Sequence, residues 1–467
     1  MSFETIFTII IFGFTVFFLV WRPRGMNEAL PTSIGAALII MAGIVTLADT
    51  VEILNIISGA AITIIATIIM SLVLDSIGFF RWTAVNIIKK ANGSGVLLYW
   101  YICLLCFLMT LFFNNDGSIL ITTPIIIQIV TILNLKPHQK MPYLFAGVLV
   151  ATTSSSPIAV SNLANLIALR IVGLDINAYV ALMFVPTIIG ITVLTLLLYL
   201  FFKKDIPKKI LALPDSDHIS IQLNSMYGMD HSKKHNTLVV DKFHHPLKKD
   251  PNYLPEINWS LFRICITIVI FTRASFFLGS SFGIPLEWIA MFGAFLLILV
   301  RWYRNGTGAI DVLKKTPWYI LIFAFSIYVI VHALHKIGLT FVLVTYFEGL
   351  ISMSHFHAIF VTGILVAILS NIFNNIPAVM IGTLSLMEMG LDTHTMHLAY
   401  LANIIGSDIG ALISPMGTLA TLLWIYILRL NKIPITWGKY FRVAICVIPL
   451  SLLVCLLGLY LWSRLFI

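Results

Sequence analysis

The chain has 467 residues, of which 59% are hydrophobic and 10% charged, with a formal net charge of +9. A soluble domain carries about 25% charged residues, so this composition excludes a soluble enzyme, a disordered chain and a secreted disulfide scaffold. Most of the polypeptide has to dissolve in a bilayer. The basic excess lies in short loops between apolar runs, where it signals topology and not a nucleic-acid surface.

In chain order, the first apolar runs predict spans at 3–21, 29–47 and 58–79. The run from Phe3 to Trp21 carries Glu4 and no Lys or Arg at its start and precedes Arg22 and Arg24, with no small-residue cleavage site. It reads as an uncleaved span. Residues 80–92 hold Arg81, Lys89 and Lys90 among apolar neighbours, which suits a helix lying at the interface. The run 95–134 is interrupted at Asn114-Asn115-Asp116-Gly117, too briefly for an external loop, and predicts a re-entrant hairpin. The run 141–172 is interrupted by Thr152 to Ser156 and by Pro157, which predicts a broken helix, and 178–202 is a further span. Residues 203–257 contain nine lysines, seven acidic residues and five histidines and read as a solvated cytoplasmic linker. Metal sensing by His231, His235, His244 and His245 is the weaker alternative there. The five cysteines lie inside apolar runs; Cys103 and Cys106 read as packed small residues, not as a redox or metal motif.

The second half repeats the first. Leu74-x-x-Ile77-Gly78 recurs as Leu334-x-x-Ile337-Gly338, and Phe113-Asn114-Asn115 recurs as Phe373-Asn374-Asn375, both 260 residues on. Ser156-Pro157 recurs as Ser414-Pro415 at nearly the same offset. With hairpins at 95–134 and 355–394, each half has an odd number of crossings, so the second half inverts. Placing residues 22–28 in the cytoplasm puts most loop lysines and arginines on that side and leaves only Arg170, Arg273, Lys336 and Arg464 near the opposite boundary, as the positive-inside rule requires. The expected fold is therefore an all-α polytopic membrane protein of two inverted repeats. Each has five transmembrane helices plus one re-entrant hairpin, with broken helices at the membrane midplane. The first repeat occupies 1–202, the linker 203–257 and the second repeat 258–467, with its broken helix at 396–429. Both termini then lie outside. Inverted repeats with interrupted helices are the architecture of secondary transporters.

Polar residues at membrane depth are costly and usually functional. Here they concentrate at four breaks, and they supply the candidate solute-binding residues: Asn114 and Asn115; Thr152, Ser154, Ser161 and Asn162; Asn374 and Asn375; Ser414, Gly417 and Thr418. Amides and hydroxyls offer donors and acceptors without fixed charge, which suits a small polar solute. Asp116 and Asp408 are the acids at these breaks and the candidate proton carriers; a structural capping role is the alternative reading. No HExxH and no P-loop motif is present, so no metal, nucleotide or other cofactor is expected. A paired-acid intramembrane protease built on Asp116 and Asp408 is the enzymatic alternative.

At these residues the chain resembles the ArsB arsenite and antimonite efflux family of the ion transporter superfamily. The resemblance rests on Phe113 to Gly117 through Thr123-Pro124, Ser161-Asn162-Leu163, Asn374 to Pro377, Gly406-Ser407-Asp408, and Gly417 to Trp424. It extends to Trp21-x-Pro23-x-Gly25, Ala48-Asp49, Lys204 to Pro207 and Thr436-Trp437-Gly438, so it covers nearly the whole chain. It implies export of trivalent arsenic or antimony across a bacterial cell membrane, coupled to proton entry. Another small anion or organic acid is the alternative solute. The partners implied are arsenite or antimonite, protons and the lipid bilayer. A docked arsenite-stimulated ATPase and a homodimer are left open, and no nucleic acid is expected. The family pattern has an Asp where this chain has Thr152 and a Lys where it has Leu412, so two charges are absent together.

Overall fold

The computed structural model describes residues 2–22, 26–210, 258–306 and 308–465. The four linker histidines singled out above lie outside the described residues. Every regular element described is helical. The first run comprises α1 (Phe3–Trp21), α2 (Ala29–Met41), α3 (Leu47–Ser76), α4 (Phe79–Ala91), α5 (Gly95–Phe112), α6 (Asn115–Ile132), α7 (Pro137–Thr153), α8 (Leu163–Val172) and α9 (Ile176–Phe202). The second comprises α10 (Trp259–Ser281), α11 (Leu286–Asn305), α12 (Ile310–Lys315), α13 (Tyr319–Lys336), α14 (Leu339–Ile351), α15 (His355–Phe373), α16 (Asn375–Glu388), α17 (Thr393–Asp408), α18 (Leu419–Leu430) and α19 (Trp437–Ser463). Among the described residues, 11 helices are long and apolar enough to cross a membrane. They include both arms of the first hairpin, each of 18 residues or about 27 Å.

The same order of elements occurs twice from α3 and from α13 onward. Each of these helices stops before a glycine in the left-handed region, Gly78 (φ 83°) or Gly338 (φ 84°), which turns the chain into a 13-residue helix. A hairpin follows, then a helix ending in a short 3-10 turn (Ala159–Ser161 or Gly410–Ile413), a second helical piece, and a 27-residue helix. Contacts between the two runs come in mated pairs: α2 packs on α13 and α3 on α11, α6 on α18 and α8 on α16, while α9 packs on α19.

One element departs from the sequence expectation. The span expected at 29–47 is only the 13-residue α2, and the span expected at 58–79 begins at Leu47. The cause is a capping box. Thr46 Oγ1 accepts from the Asp49 amide while the Asp49 carboxylate accepts from the Thr46 amide, so the polar residues taken for a loop start a 30-residue helix. The other boundaries fall within a few residues of those expected.

The core is densest where the two runs meet. The Trp424 side chain is fully buried, its ring 5.3 Å from that of Phe145 on α7 and 6.4 Å from that of Tyr440 on α19. By contrast α11 presents Trp288, Phe292, Phe295 and Trp302 outward, a face suited to acyl chains. Truncating Trp424 leaves a cavity that α7, α18 and α19 cannot all collapse into. Trp424→Ala is expected to lower stability in detergent by about 3–5 kcal/mol, measured by chemical or thermal unfolding, whereas Trp424→Phe retains most of it.

Candidate functional site

An interrupted helix frees backbone groups that lipid cannot satisfy, so each break must be completed by protein. At the first break, after α7, the Tyr179 hydroxyl donates to the Ser156 carbonyl (2.7 Å), and Tyr400 donates to the Asn165 carbonyl in the first turn of α8 (3.4 Å). At the second, Asn371 bridges, its amide donating to the Gly410 carbonyl (2.8 Å) and its oxygen accepting from the Ser414 amide (2.7 Å). Tyr440 donates to the Leu412 carbonyl (3.0 Å). Gly417 has no room for a side chain, since a Cβ there would stand 1.8 Å from the Ala411 carbonyl oxygen.

The two breaks are joined by a carboxylate. Asp408, at the end of α17, is fully buried and accepts from four side chains of the first break: Asn165 (2.7 Å), Asn162 (2.9 Å), Ser155 and Ser156 (3.0 Å each). An ionised carboxylate accepts hydrogen bonds only, and four donors suit its lone pairs. Among the described residues no hydrogen bond joins Asp408 to Asp116.

The hairpin tips complete the layer. Asn114 caps α6, its side-chain oxygen accepting from the Gly117 amide (2.7 Å), and Asn162 and Thr418 cap α8 and α18 in the same way. Asn374 differs. It holds φ 79° without capping α16, its amide donates to the Met416 carbonyl (3.0 Å), and the Asn375 amide donates to the Gly417 carbonyl (2.8 Å). The side-chain oxygens of Asn374, Asn375 and Asn165 are buried and unpartnered.

A cavity of about 910 Å³ runs down to this layer. Its floor is formed by Asp116 and Gly117 of α6, Leu163 of α8, Ile376 of α16 and Leu419 of α18, so it meets the first turns of four helices. Helix N-termini carry partial positive charge and unsatisfied amides, and four of them at one floor make a place for an electron-rich solute. Asp116 is the acid on that floor. The walls are mainly apolar and aromatic, including Phe17, Tyr319 and Phe323; the mouth carries Arg22, Glu28, Lys314, Lys315 and Arg429.

The structure thus brings Asn114, Asn115, Ser161, Asn162, Asn374, Asn375, Gly417 and Thr418 to one layer, each one or two residues before the cavity floor. Others turn away. The Thr152 and Ser154 hydroxyls donate back to the Val148 and Val150 carbonyls of their own helix, and Ser414 is tied to Asn371. Sequence reasoning missed Asn165, Asn371 and the three tyrosines. An amide inside an apolar run was the available signal for the two asparagines; a buried tyrosine carries none. It also read Arg273 as a boundary residue, whereas its guanidinium is buried and donates to the Phe112 and Phe113 carbonyls at the first tip (2.6 Å each).

Comparison with known proteins points to a membrane transporter. The family described as citrate transporter matches residues 16–406. The chain is 46% identical to a provisionally named arsenical pump membrane protein of Bacillus subtilis (strain 168), covering 97% of this chain and 98% of that one. It is 33% identical to an arsenical pump membrane protein of Escherichia coli, covering 93% and 94%. The solved structure of the Alcanivorax borkumensis YdaH transporter aligns over 97% of both chains at a TM-score of 0.50 and 13% identity, a likeness of fold.

The clasp around Asp408 generates a stability prediction. Asn165→Ala removes one hydrogen bond to a charged acceptor and is expected to cost about 1.5–3 kcal/mol. Asp408→Ala leaves the Ser156, Asn162 and Asn165 donors buried and unmatched, while Ser155 keeps its Thr152 carbonyl (2.8 Å); at about 1–3 kcal/mol for each unmatched donor it is expected to abolish recoverable folded protein. Size-exclusion profiles and unfolding midpoints in detergent check both.

Proposed function

The chain belongs to the citrate transporter family and stands with the arsenical pump membrane proteins; on that premise we propose that it exports trivalent arsenic or antimony in exchange for protons. It is a multi-pass membrane transporter and not an enzyme. The observation that carries the finer reading is the cavity floor, where four helix N-termini surround one carboxylate. The neutral trihydroxide of arsenic or antimony offers both lone pairs and hydroxyl donors. Its oxygens suit the first-turn amides, and its hydroxyls suit the Asp116 carboxylate on the floor.

Proton coupling falls to Asp116 in this reading, because the cavity reaches it, while Asp408 already accepts four hydrogen bonds. The same occupancy weighs against a paired-acid protease, whose two carboxyls must share a proton. In this reading the mouth, with Arg22, Lys314, Lys315 and Arg429, faces the cytoplasm of a bacterial inner membrane and both termini lie outside; its basic residues support that orientation by the positive-inside rule. The described state is then the one that loads solute for export. Its far end is closed by the Arg170–Glu287 and Lys336–Asp49 ion pairs. Alternating access follows if the mated halves, an inverted repeat in this topology, rock against each other.

The family description favours one alternative, a small organic acid as solute, for which the basic mouth is suited. Uptake into everted vesicles separates the two: arsenite accumulation in a proton gradient supports the first reading, and citrate-type acids competing in its absence support the second. Within the first reading, Asp116→Asn is expected to abolish arsenite resistance in an efflux-deficient bacterium, with the protein inserted in normal amount. Full resistance in that variant removes Asp116 from the mechanism.

A further inference from the structure

Arg273 sits eight residues before the end of α10, buried at 6% exposure. Its Nε donates to the Phe112 carbonyl and its Nη2 to the Phe113 carbonyl, both at 2.6 Å. These are the last carbonyls of α5, which lack helical partners and form the negative end of that helix. Its Nη1 is buried without a partner. Among the described residues no carboxylate pairs with it, and the Phe276 ring lies 5.5 Å from its Cζ. A guanidinium kept inside a membrane protein without an acid is held there by what it grips. Here it grips the turn that precedes Asn114, Asn115 and Asp116.

The equivalent place in the other half is filled differently. The second tip, at Phe373, meets the ring of Phe12 on α1 at 5.1 Å, an apolar contact without a charge. One hairpin is thus fixed by two charge-assisted hydrogen bonds to the first helix of the other half, and its counterpart rests against a ring. Fixed-geometry forks of this kind hold position better than a point charge.

We propose that Arg273 is a positioning residue for transport: its guanidinium latches the tip of the first hairpin to α10 while the cavity is open at its basic mouth, and lets go when the hairpin moves. The third nitrogen, unused in this state, is a donor available to the tip carbonyls in another position. The transport part of this inference rests on the function proposed above; the latch itself does not.

The test uses the full chain in everted vesicles. Leu423→Cys on the cavity wall, with Cys446→Ser removing the exposed native thiol, is labelled by a membrane-impermeant maleimide. Its rate reports the open cavity without reference to any solute. Arg273→Gln is expected to slow labelling at least fivefold and to lower kcat for arsenite at least tenfold, with KM changed less than threefold. Arg273→Lys, which keeps the charge but not the fork, is expected to fall between. Wild-type labelling and kcat in Arg273→Gln overturn the latch. If Arg273→Gln does not insert, Arg273→Lys decides alone, an intermediate labelling rate supporting the latch and a wild-type rate overturning it. If vesicles of the parent chain move no arsenite, the proposed solute fails while the labelling result still judges Arg273.

Discussion

The structure depends on the acceptance of four hydrogen bonds by one buried carboxylate. Asp408 comes from the second run of helices, and its donors come from the first. Without a negative charge at that point, one hydroxyl and two amides would lie unmatched in a medium that offers no water, and Ser155 would fall back on the Thr152 carbonyl. Without those donors, the carboxylate would be an isolated charge at membrane depth. Each break therefore makes the other tolerable. The irregular backbone that opens the cavity floor persists because the halves satisfy it jointly.

This arrangement sorts the polar residues of the breaks into two populations. Some complete the fold: Thr152 and Ser154 turn back on their helix, Asn371 bridges Gly410 and Ser414, and the Tyr179, Tyr400 and Tyr440 hydroxyls find backbone carbonyls in or beside the breaks. Others hold helix starts in place beside the cavity, as Asn114, Asn162 and Thr418 do by capping. What the cavity floor presents is less these side chains than the helix ends they organise. That explains why so few ionisable groups are needed at the floor.

Much of the fold was legible from hydrophobic run length and from the 260-residue echo of Leu74 to Gly78 and of Phe113 to Asn115. Those signals are local, and local composition decides whether a segment can lie in lipid. The start of α3 was not legible as a loop-or-helix choice, because Thr46 and Asp49 look like a turn until their reciprocal hydrogen bonds are seen. The layer of the site was legible because polar residues are scarce in this chain and therefore informative. Its inner division was not. Whether a serine faces a cavity or its own helix depends on a rotamer, and whether Asp408 is open or enclosed depends on residues some 250 positions away. Arg273 was misread for the same reason: its partners are at the tip of a hairpin 160 residues earlier.

The clasp also has a bearing on how the chain is made. Asn165 emerges from the ribosome 243 residues ahead of Asp408, an interval of roughly 12 to 50 s at ordinary elongation speeds. For that time Ser155, Ser156, Asn162 and Asn165 occupy a half-built bundle with no anion to receive them. Water, lipid headgroups or the insertion machinery must accommodate them until the final third of the sequence arrives, so membrane assembly of this protein cannot be completed one half at a time.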